Sequence, residues 1–277
     1  MSVFPLRRAV GLGYWVSCAA LCVAAFATSG CTSVGGGAIA AADKQYATPS
    51  DETELHRRAR IRLELAVSYL GLGQTQVALD EVKQSLAIHP AYADAYNVRG
   101  LIYMQLRDFL AADESFLRGL ALRPSDPDMM HNRAWLLCQM ENYPQADVLF
   151  EQVLAAPSYA SRSKTLMAQG LCQARAGRPA EAEKKLLGAY ELEVGNPVIA
   201  YNIGLLQYQR GAFDKAQFYI RRLNHTELAN AESLWLGVRI ERALKDEVSM
   251  RQLGDQLRRR FPDSREFRSY QQGDFNE

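Results

Sequence analysis

Small residues recur at a nearly constant spacing through most of this 277-residue chain. One series has separations of 34, 34, 36, 34 and 33 residues: Ala66, Gly100, Ala134, Gly170, Gly204 and Gly237. A second series has separations of 34, 34, 36 and 34 residues: Ala78, Ala112, Ala146, Ala182 and Ala216. Both series contain the same two-residue insertion, which independent patterns would rarely share. The chain therefore contains a repeated structural unit of about 34 residues.

A unit of two helices joined by a turn, with small residues at these two places, is the tetratricopeptide repeat. Alanine or glycine lets two helices cross closely because neither carries a bulky side chain. Tyr69 and Tyr103 lie three residues after members of the first series, and Phe116 and Phe150 lie four residues after members of the second. The spacing predicts an all-α protein, a right-handed superhelical solenoid of six tetratricopeptide repeats.

Proline and glycine indicate where the helices end. Pro90 and Pro124 are expected to close second helices, because proline cannot continue a helix. Gly73, Gly177 and Gly211 are expected in the turns after first helices, as left-handed capping residues. The predicted repeats cover residues 59–92, 93–126, 127–162, 163–196, 197–229 and 230–262, with the insertion near 156–162.

The N-terminus has the features of an export signal. Arg7-Arg8 precedes a mostly apolar stretch from Ala9 to Ala27, and small residues follow it. The cysteine in Ser29-Gly30-Cys31 resembles that of the bacterial lipoprotein lipobox, although Thr28 stands where that pattern prefers leucine. This resemblance implies that Cys31 is acylated and becomes the mature N-terminus. A retained signal anchor is the alternative, since 19 residues can just span a bilayer.

Four segments are expected. They are a lipoprotein signal peptide (1–30), the lipidated Cys31 with a flexible tether (31–50), the six repeats (51–262) and a C-terminal tail (263–277). Thr32 follows the cysteine, where aspartate favours inner-membrane retention in well-studied lipoprotein sorting. The resemblance to lipoproteins therefore implies a lipid anchor in the outer membrane, with the repeats on its periplasmic face.

The charges and the histidines give no indication of an enzyme or of nucleic-acid binding. The chain has 32 basic and 31 acidic residues and no basic stripe, and Arg258-Arg259-Arg260 suits the end of a last helix. No phosphate-binding loop or Ser/His/Asp arrangement is present. The histidines are scattered, without zinc-like spacing: His56, His89, His131 and His225. We therefore predict a non-enzymatic protein without a metal, a cofactor or a nucleic-acid partner.

Two cysteines remain after Cys31. Cys138 and Cys172 lie at positions twelve and ten of successive first helices, which are expected to run side by side. An oxidising, exported location permits a disulfide, but a buried free cysteine also packs well as a small hydrophobe. Both states are open on the sequence alone.

The first helices are expected to line a concave surface that binds other polypeptides. Counting positions two, five, nine, twelve and thirteen of each repeat gives a largely apolar wall. Its expected members are Leu63, Val67, Leu70, Asn97, Leu101, Met104, His131, Trp135, Cys138, Met167, Leu171, Tyr201, Leu205 and Tyr208. The alternative for any one of them is a place in the core between neighbouring first helices. A row across five repeats favours a binding surface.

The chain resembles the type IV pilus biogenesis lipoproteins PilF and PilW. The resemblance covers the signal and all six repeats, and it is most specific in segments 132–138 and 157–163 and in the C-terminal run 233–262. His131-Asn132-Arg133-Ala134 departs from the Asn-Asn-Tyr-Gly-like string that the family typically has there. The resemblance implies an accessory factor that helps an outer-membrane secretin of the PilQ type to localise and assemble, or that supports pilus stability. Some related proteins also carry cysteines at both positions, 138 and 172.

Two other functions fit the same features. One is a periplasmic repeat lipoprotein that acts as a scaffold for outer-membrane protein assembly or as an adaptor for a periplasmic hydrolase. The other is an enzyme with accessory repeats, which the sequence disfavours because no catalytic residues stand out beyond the repeats.

The lipobox resemblance is testable by substitution. Cys31→Ser removes the thiol that would be acylated, so we expect a longer, unlipidated precursor that no longer fractionates with the outer membrane. Gel mobility and membrane fractionation measure both effects. A variant with unchanged mobility and location would instead support the signal anchor.

Overall fold

The computed structural model describes residues 52–275, and thirteen α-helices and no strands lie within that range. Their bounds are α1 Glu54–Gly71, α2 Thr75–Ile88, α3 Ala93–Gln105, α4 Phe109–Leu122, α5 Pro127–Gln139, α6 Tyr143–Ala155, α7 Arg162–Arg175, α8 Pro179–Leu192, α9 Pro197–Gln209, α10 Phe213–Asn224, α11 Ala231–Ala243, α12 Glu247–Arg260 and α13 Arg265–Gln272. Each odd-numbered helix up to α11 packs most extensively against the even-numbered helix that follows it. The prediction of an all-α solenoid of tetratricopeptide repeats is confirmed.

The small residues lie where the two helices of a repeat cross. Ala66, Ala78 and Ala134 have no exposed surface. A Cβ atom added to Gly100 would lie 2.5 Å from Cε1 of Phe116. At Gly100, Gly170 and Gly204, the large residue four positions after the second-helix alanine fills the space that the missing side chain leaves. This contact explains both the small residues and the large residues at fixed spacing.

Three-residue turns join the helices within each repeat, and the middle residue of every turn has a left-handed conformation. Glycine supplies it in three turns, as predicted, with φ values of 73°, 72° and 73° at Gly73, Gly177 and Gly211. In the other three turns the residue is not glycine: Arg107, Glu141 and Lys245 have φ values of 61°, 61° and 60°. These positions were not identifiable from the sequence, because the expectation rested on glycine alone.

The turns between repeats lie where proline and the insertion predicted them. Helix α2 ends at Ile88 and α4 ends at Leu122, in each case two residues before the proline that was expected to close it. The turn at 156–161 has six residues, whereas those at 89–92 and 123–126 have four. The expected insertion is therefore an extension of one inter-repeat turn.

The segment after the sixth repeat contains a helix of its own, where the sequence suggested only a tail. In α13, Phe267 is buried, and Tyr270 occupies the space beside Gly254 of α12, since a Cβ atom there would lie 2.1 Å from the tyrosine Cζ. Phe275 stacks on Trp235 of α11 with ring centroids 5.5 Å apart. The helix therefore covers apolar surface that the last repeat would otherwise expose to water.

The crossing contact predicts that bulk at Gly204 destabilises the protein. A Cβ atom at Gly204 would lie 2.5 Å from Cγ1 of Ile220, so Gly204→Leu should cost about 1–3 kcal/mol. That cost corresponds to a decrease in melting temperature of roughly 2–12 °C.

Gly188→Leu is the matched control, because it makes the same change at a helical glycine of α8 that lies away from the crossing contacts. A Cβ atom there meets only Cδ1 of Leu166, at 3.7 Å, which is an ordinary contact. Both substitutions gain helix propensity, so only the crossing differs. Equal melting temperatures for the two variants would show that the assigned repeat register is wrong.

Candidate functional site

The odd-numbered helices form the inner side of the repeat stack. Each odd-numbered helix contacts the next odd-numbered helix, from α1 through α13, whereas consecutive even-numbered helices of the described chain make no such contacts. Helices that touch across repeats lie on the shorter side of a curved stack, and helices that are splayed apart lie on the longer side. The first helices therefore line the concave surface, as expected.

Eleven of the fourteen residues expected at this surface have partly or largely exposed side chains, and we call them the inner surface. They are Val67, Leu70, Asn97, Leu101, Met104, Trp135, Met167, Leu171, Tyr201, Leu205 and Tyr208. Val67 is half exposed. A hydrogen bond of 2.9 Å from Asn132 Nδ2 to Asn97 Oδ1 joins repeats two and three at this surface. Binding of a partner at the inner surface is still a prediction.

Three residues expected at the surface are instead buried. Leu63 packs in the core formed by α1, α2 and α3. His131 is only 4% exposed, and Cys138 is 1% exposed. All three occupy positions of the repeat that were expected at the groove. Their local partners, however, turn these side chains inward.

His131 belongs to a buried polar chain that includes the inserted turn. Its Nδ1 lies 2.8 Å from the hydroxyl oxygen of Thr165, and the Tyr159 hydroxyl lies 3.0 Å from the same oxygen. Burial, with a smaller effect from nearby Lys164, lowers the pKa of His131 to about 4. The imidazole is therefore neutral at pH 7 and helps to hold the inserted turn against repeat four.

Cys138 and Cys172 form a disulfide in the structure. The S–S distance is 2.21 Å and the two Cα atoms are 5.8 Å apart. The bond joins α5 to α7 across the junction of repeats three and four. A cross-link that closes a loop of this length stabilises a fold by roughly 4 kcal/mol on the chain-entropy model.

Arginine side chains stack on two aromatic rings of the inner surface. The guanidinium carbon of Arg175 lies 5.0 Å from the centre of the Trp135 ring, and that of Arg239 lies 4.8 Å from the centre of Tyr208. Such contacts contribute about 0.5–1 kcal/mol when exposed, and they fix the orientation of both side chains. Neither arginine was among the residues expected at this surface, although Arg175 lies at position thirteen of repeat four.

The inner surface deepens into a cleft of about 240 Å³ at its C-terminal end. Its lining is Tyr201, Leu205, Glu232, Trp235, Leu236, Arg239, Arg265, Glu266 and Ser269. Tyr201 and Leu205 were expected at the surface. The contribution of Trp235 was missed, and so was that of α13, because the sequence after residue 262 carried no repeat signal. We call this feature the C-terminal cleft.

The most buried carboxylate in the described residues has a structural role. Glu241 is 1% exposed and accepts hydrogen bonds of 2.7 and 2.9 Å from Arg221 and one of 2.8 Å from Gln217. Arg221 also donates to Asp246, the N-cap residue of α12. These contacts tie α10, α11 and α12 together. Within residues 52–275, no group of three histidine, cysteine or acidic side chains is arranged to hold a metal ion.

The repeat sequences match a known family model. The tetratricopeptide-repeat model aligns with residues 63–127 and again with residues 131–197. Type IV pilus assembly protein PilF of Pseudomonas aeruginosa is 26% identical over 212 residues, which cover 76% of this chain and 83% of that protein. The chain is a tetratricopeptide-repeat homologue of PilF.

Solved structures agree with this assignment. PilW, described as a widely conserved type IV pilus biogenesis factor, superposes with a TM-score of 0.71 at 25% identity, over 77% of this chain and 98% of that one. The P. aeruginosa PilF structure gives a TM-score of 0.68 at 24% identity, over 80% of this chain and all of that one. The structural likeness therefore extends over nearly the full length of both solved structures.

The expected export signal and lipid anchor belong to the N-terminal end of the chain. The signal peptide, Cys31 and the tether lie outside the described residues 52–275. No helix within those residues is both long and apolar enough to span a bilayer.

Burial of His131 predicts a pH-dependent stability. Its pKa of about 4 in the folded state lies below the ordinary value of 6.5, so the unfolded chain binds more protons between these values. The contribution of neutral His131 to the free energy of unfolding should be present in full well above pH 6.5. It should decrease as the pH falls towards 4, with a loss of about 2 kcal/mol at pH 5.

Denaturant unfolding at pH 7.5 and pH 5 measures this effect in the wild type and in His131→Gln. The variant keeps a hydrogen-bonding side chain but has no titrating group, so its stability should change less over this interval. The other histidines are present in both proteins, and their contribution cancels in the comparison. Identical pH dependence in the two proteins would contradict the assignment.

Proposed function

We propose that this protein is a non-enzymatic lipoprotein of the outer membrane that binds secretin subunits and promotes assembly of the type IV pilus secretin. Homology to the type IV pilus assembly protein PilF, together with the likeness to the biogenesis factor PilW, supports a role in pilus biogenesis. The secretin is the partner that the family resemblance implies. Lipidation at Cys31 would keep the repeats at the periplasmic face, where secretin subunits arrive.

The observation that carries the proposal is the continuous apolar and aromatic inner surface. Leu101 and Met104 of α3, Trp135 of α5 and Leu171 of α7 are all partly exposed along successive first helices. Apolar side chains that stay accessible in a row, instead of closing into the core, offer buried area to a partner segment.

Trp135 is the best candidate for an energetic centre of this surface. Arg175 stacks on its ring, which fixes the indole in place before any partner binds. Large aromatic side chains with such preorganisation dominate binding energy when an interface buries them. The groove around Trp135 would accordingly receive an apolar part of the secretin.

A substitution at Trp135 tests the proposal. Trp135→Ala should reduce secretin multimers and partner capture, because truncation of a central aromatic typically costs 2 kcal/mol or more, a factor of roughly 30 in affinity. The helical circular-dichroism signal and lipidation should be unchanged. Multimers are measured on gels that preserve the secretin ring, and capture is measured from solubilised envelope.

Phe218→Ala is the control, since Phe218 is 58% exposed on α10, an even-numbered helix away from the inner surface. It should leave secretin multimers at the wild-type level. Normal multimers in Trp135→Ala would place the binding site elsewhere. Unfolding of that variant would show that Trp135 is a core residue. A general loss of outer-membrane proteins in a deletion strain would instead favour a scaffold for outer-membrane protein assembly.

A further inference from the structure

The C-terminal cleft contains a cation whose hydrogen-bonding capacity is unused. Arg239 lies at its wall with the guanidinium held over Tyr208, and its Nε–H is buried without an acceptor among residues 52–275. The side chain also takes part in no ion pair within that range. A buried donor without an acceptor is costly, so the folded protein carries a group that a ligand can satisfy.

The surroundings of Arg239 are aromatic and rigid. Trp235 of α11 stacks on Phe275, and the guanidinium carbon of Arg242 lies 4.0 Å from the centre of the Phe275 ring. Tyr201 and Leu205 of α9 also line the cleft. The cleft therefore combines apolar walls for a side chain with a planar donor group, which matches the geometry of a carboxylate.

Two carboxylates also line the cleft, together with Arg265. Glu232 lies in the first turn of α11, and Glu266 lies in the first turn of α13. Arg239 is two helical turns beyond Glu232, roughly 10 Å along the axis. The carboxylates of Glu232 and Glu266 disfavour a run of acidic residues but leave a single carboxylate free to pair with Arg239.

We propose that the C-terminal cleft binds an extended partner segment in which one aspartate or glutamate lies next to a large apolar residue, with the carboxylate paired to Arg239. This inference rests on the proposed function, because it specifies the chemistry of a segment that the same inner surface receives. It adds a second, polar contact to the apolar contact around Trp135.

Site-specific photo-crosslinking in cells tests the proposal on the full chain. A photoreactive phenylalanine replaces Tyr201 in the cleft, and in a matched control it replaces Tyr219 of α10. The cross-linked segment is then mapped by mass spectrometry. We expect position 201 to capture a segment with a carboxylate within two residues of a large apolar residue.

Arg239→Gln should lower this cross-linking by about tenfold or more, as loss of a charge-assisted hydrogen bond implies. Arg239→Lys should retain part of it, since the charge remains but the planar fork is lost. Products from position 219 should not change. Thermal unfolding of both variants verifies that the fold is intact.

Three outcomes would overturn the inference. They are a captured segment without a carboxylate, a yield from position 201 that is unchanged in Arg239→Gln, and products that join the chain only to itself or to a second copy. The identity of the captured protein separates this test from that of the proposed function. Secretin captured independently of Arg239 contradicts only the cleft chemistry, whereas a carboxylate segment from another protein contradicts only the secretin assignment.

Discussion

The close crossing of two helices within each repeat is the contact on which the whole structure depends. Gly100 and Gly204 have no side chain because Phe116 and Ile220 occupy the space beside them. When a repeat is closed in this way, its two helices form one unit that can stack on the next. The stack then brings successive first helices into contact and spreads the second helices apart. A concave surface made of first helices is the direct consequence.

Two features stabilise the junction of repeats three and four in addition to helix packing. The disulfide between α5 and α7 joins the two repeats covalently, and the chain from His131 through Thr165 to Tyr159 attaches the inserted turn. Trp135 packs against the core cluster that contains the two cysteines of the disulfide. We infer that the two features hold the central part of the inner surface in one shape, which reduces the entropy lost on binding a partner.

The sequence predicted the architecture well because small and large residues at fixed spacing report directly on helix crossings. The sequence predicted less well which residues of the first helices are exposed at the inner surface. His131 was assigned to the groove by its position, but the longer turn brings Tyr159 to the same hydroxyl and the histidine is buried. The C-terminal cleft was missed because α13 lies outside the repeat pattern. Tyr270 of α13 packs beside Gly254 of α12, and no sequence spacing indicates this contact. The signal peptide and Cys31 lie outside the described residues and stay predictions.

The central claim is that the inner surface binds secretin. Hydroxyl-radical footprinting of the purified protein, with and without secretin subunits, tests it most directly because methionine, tryptophan and tyrosine side chains are oxidised in proportion to their exposure. The account predicts that the secretin protects Met104, Trp135 and Tyr208 and leaves Phe218 and Tyr190 on the even-numbered helices unchanged. Protection of Phe218 and Tyr190, with unchanged oxidation of the inner surface, would contradict it.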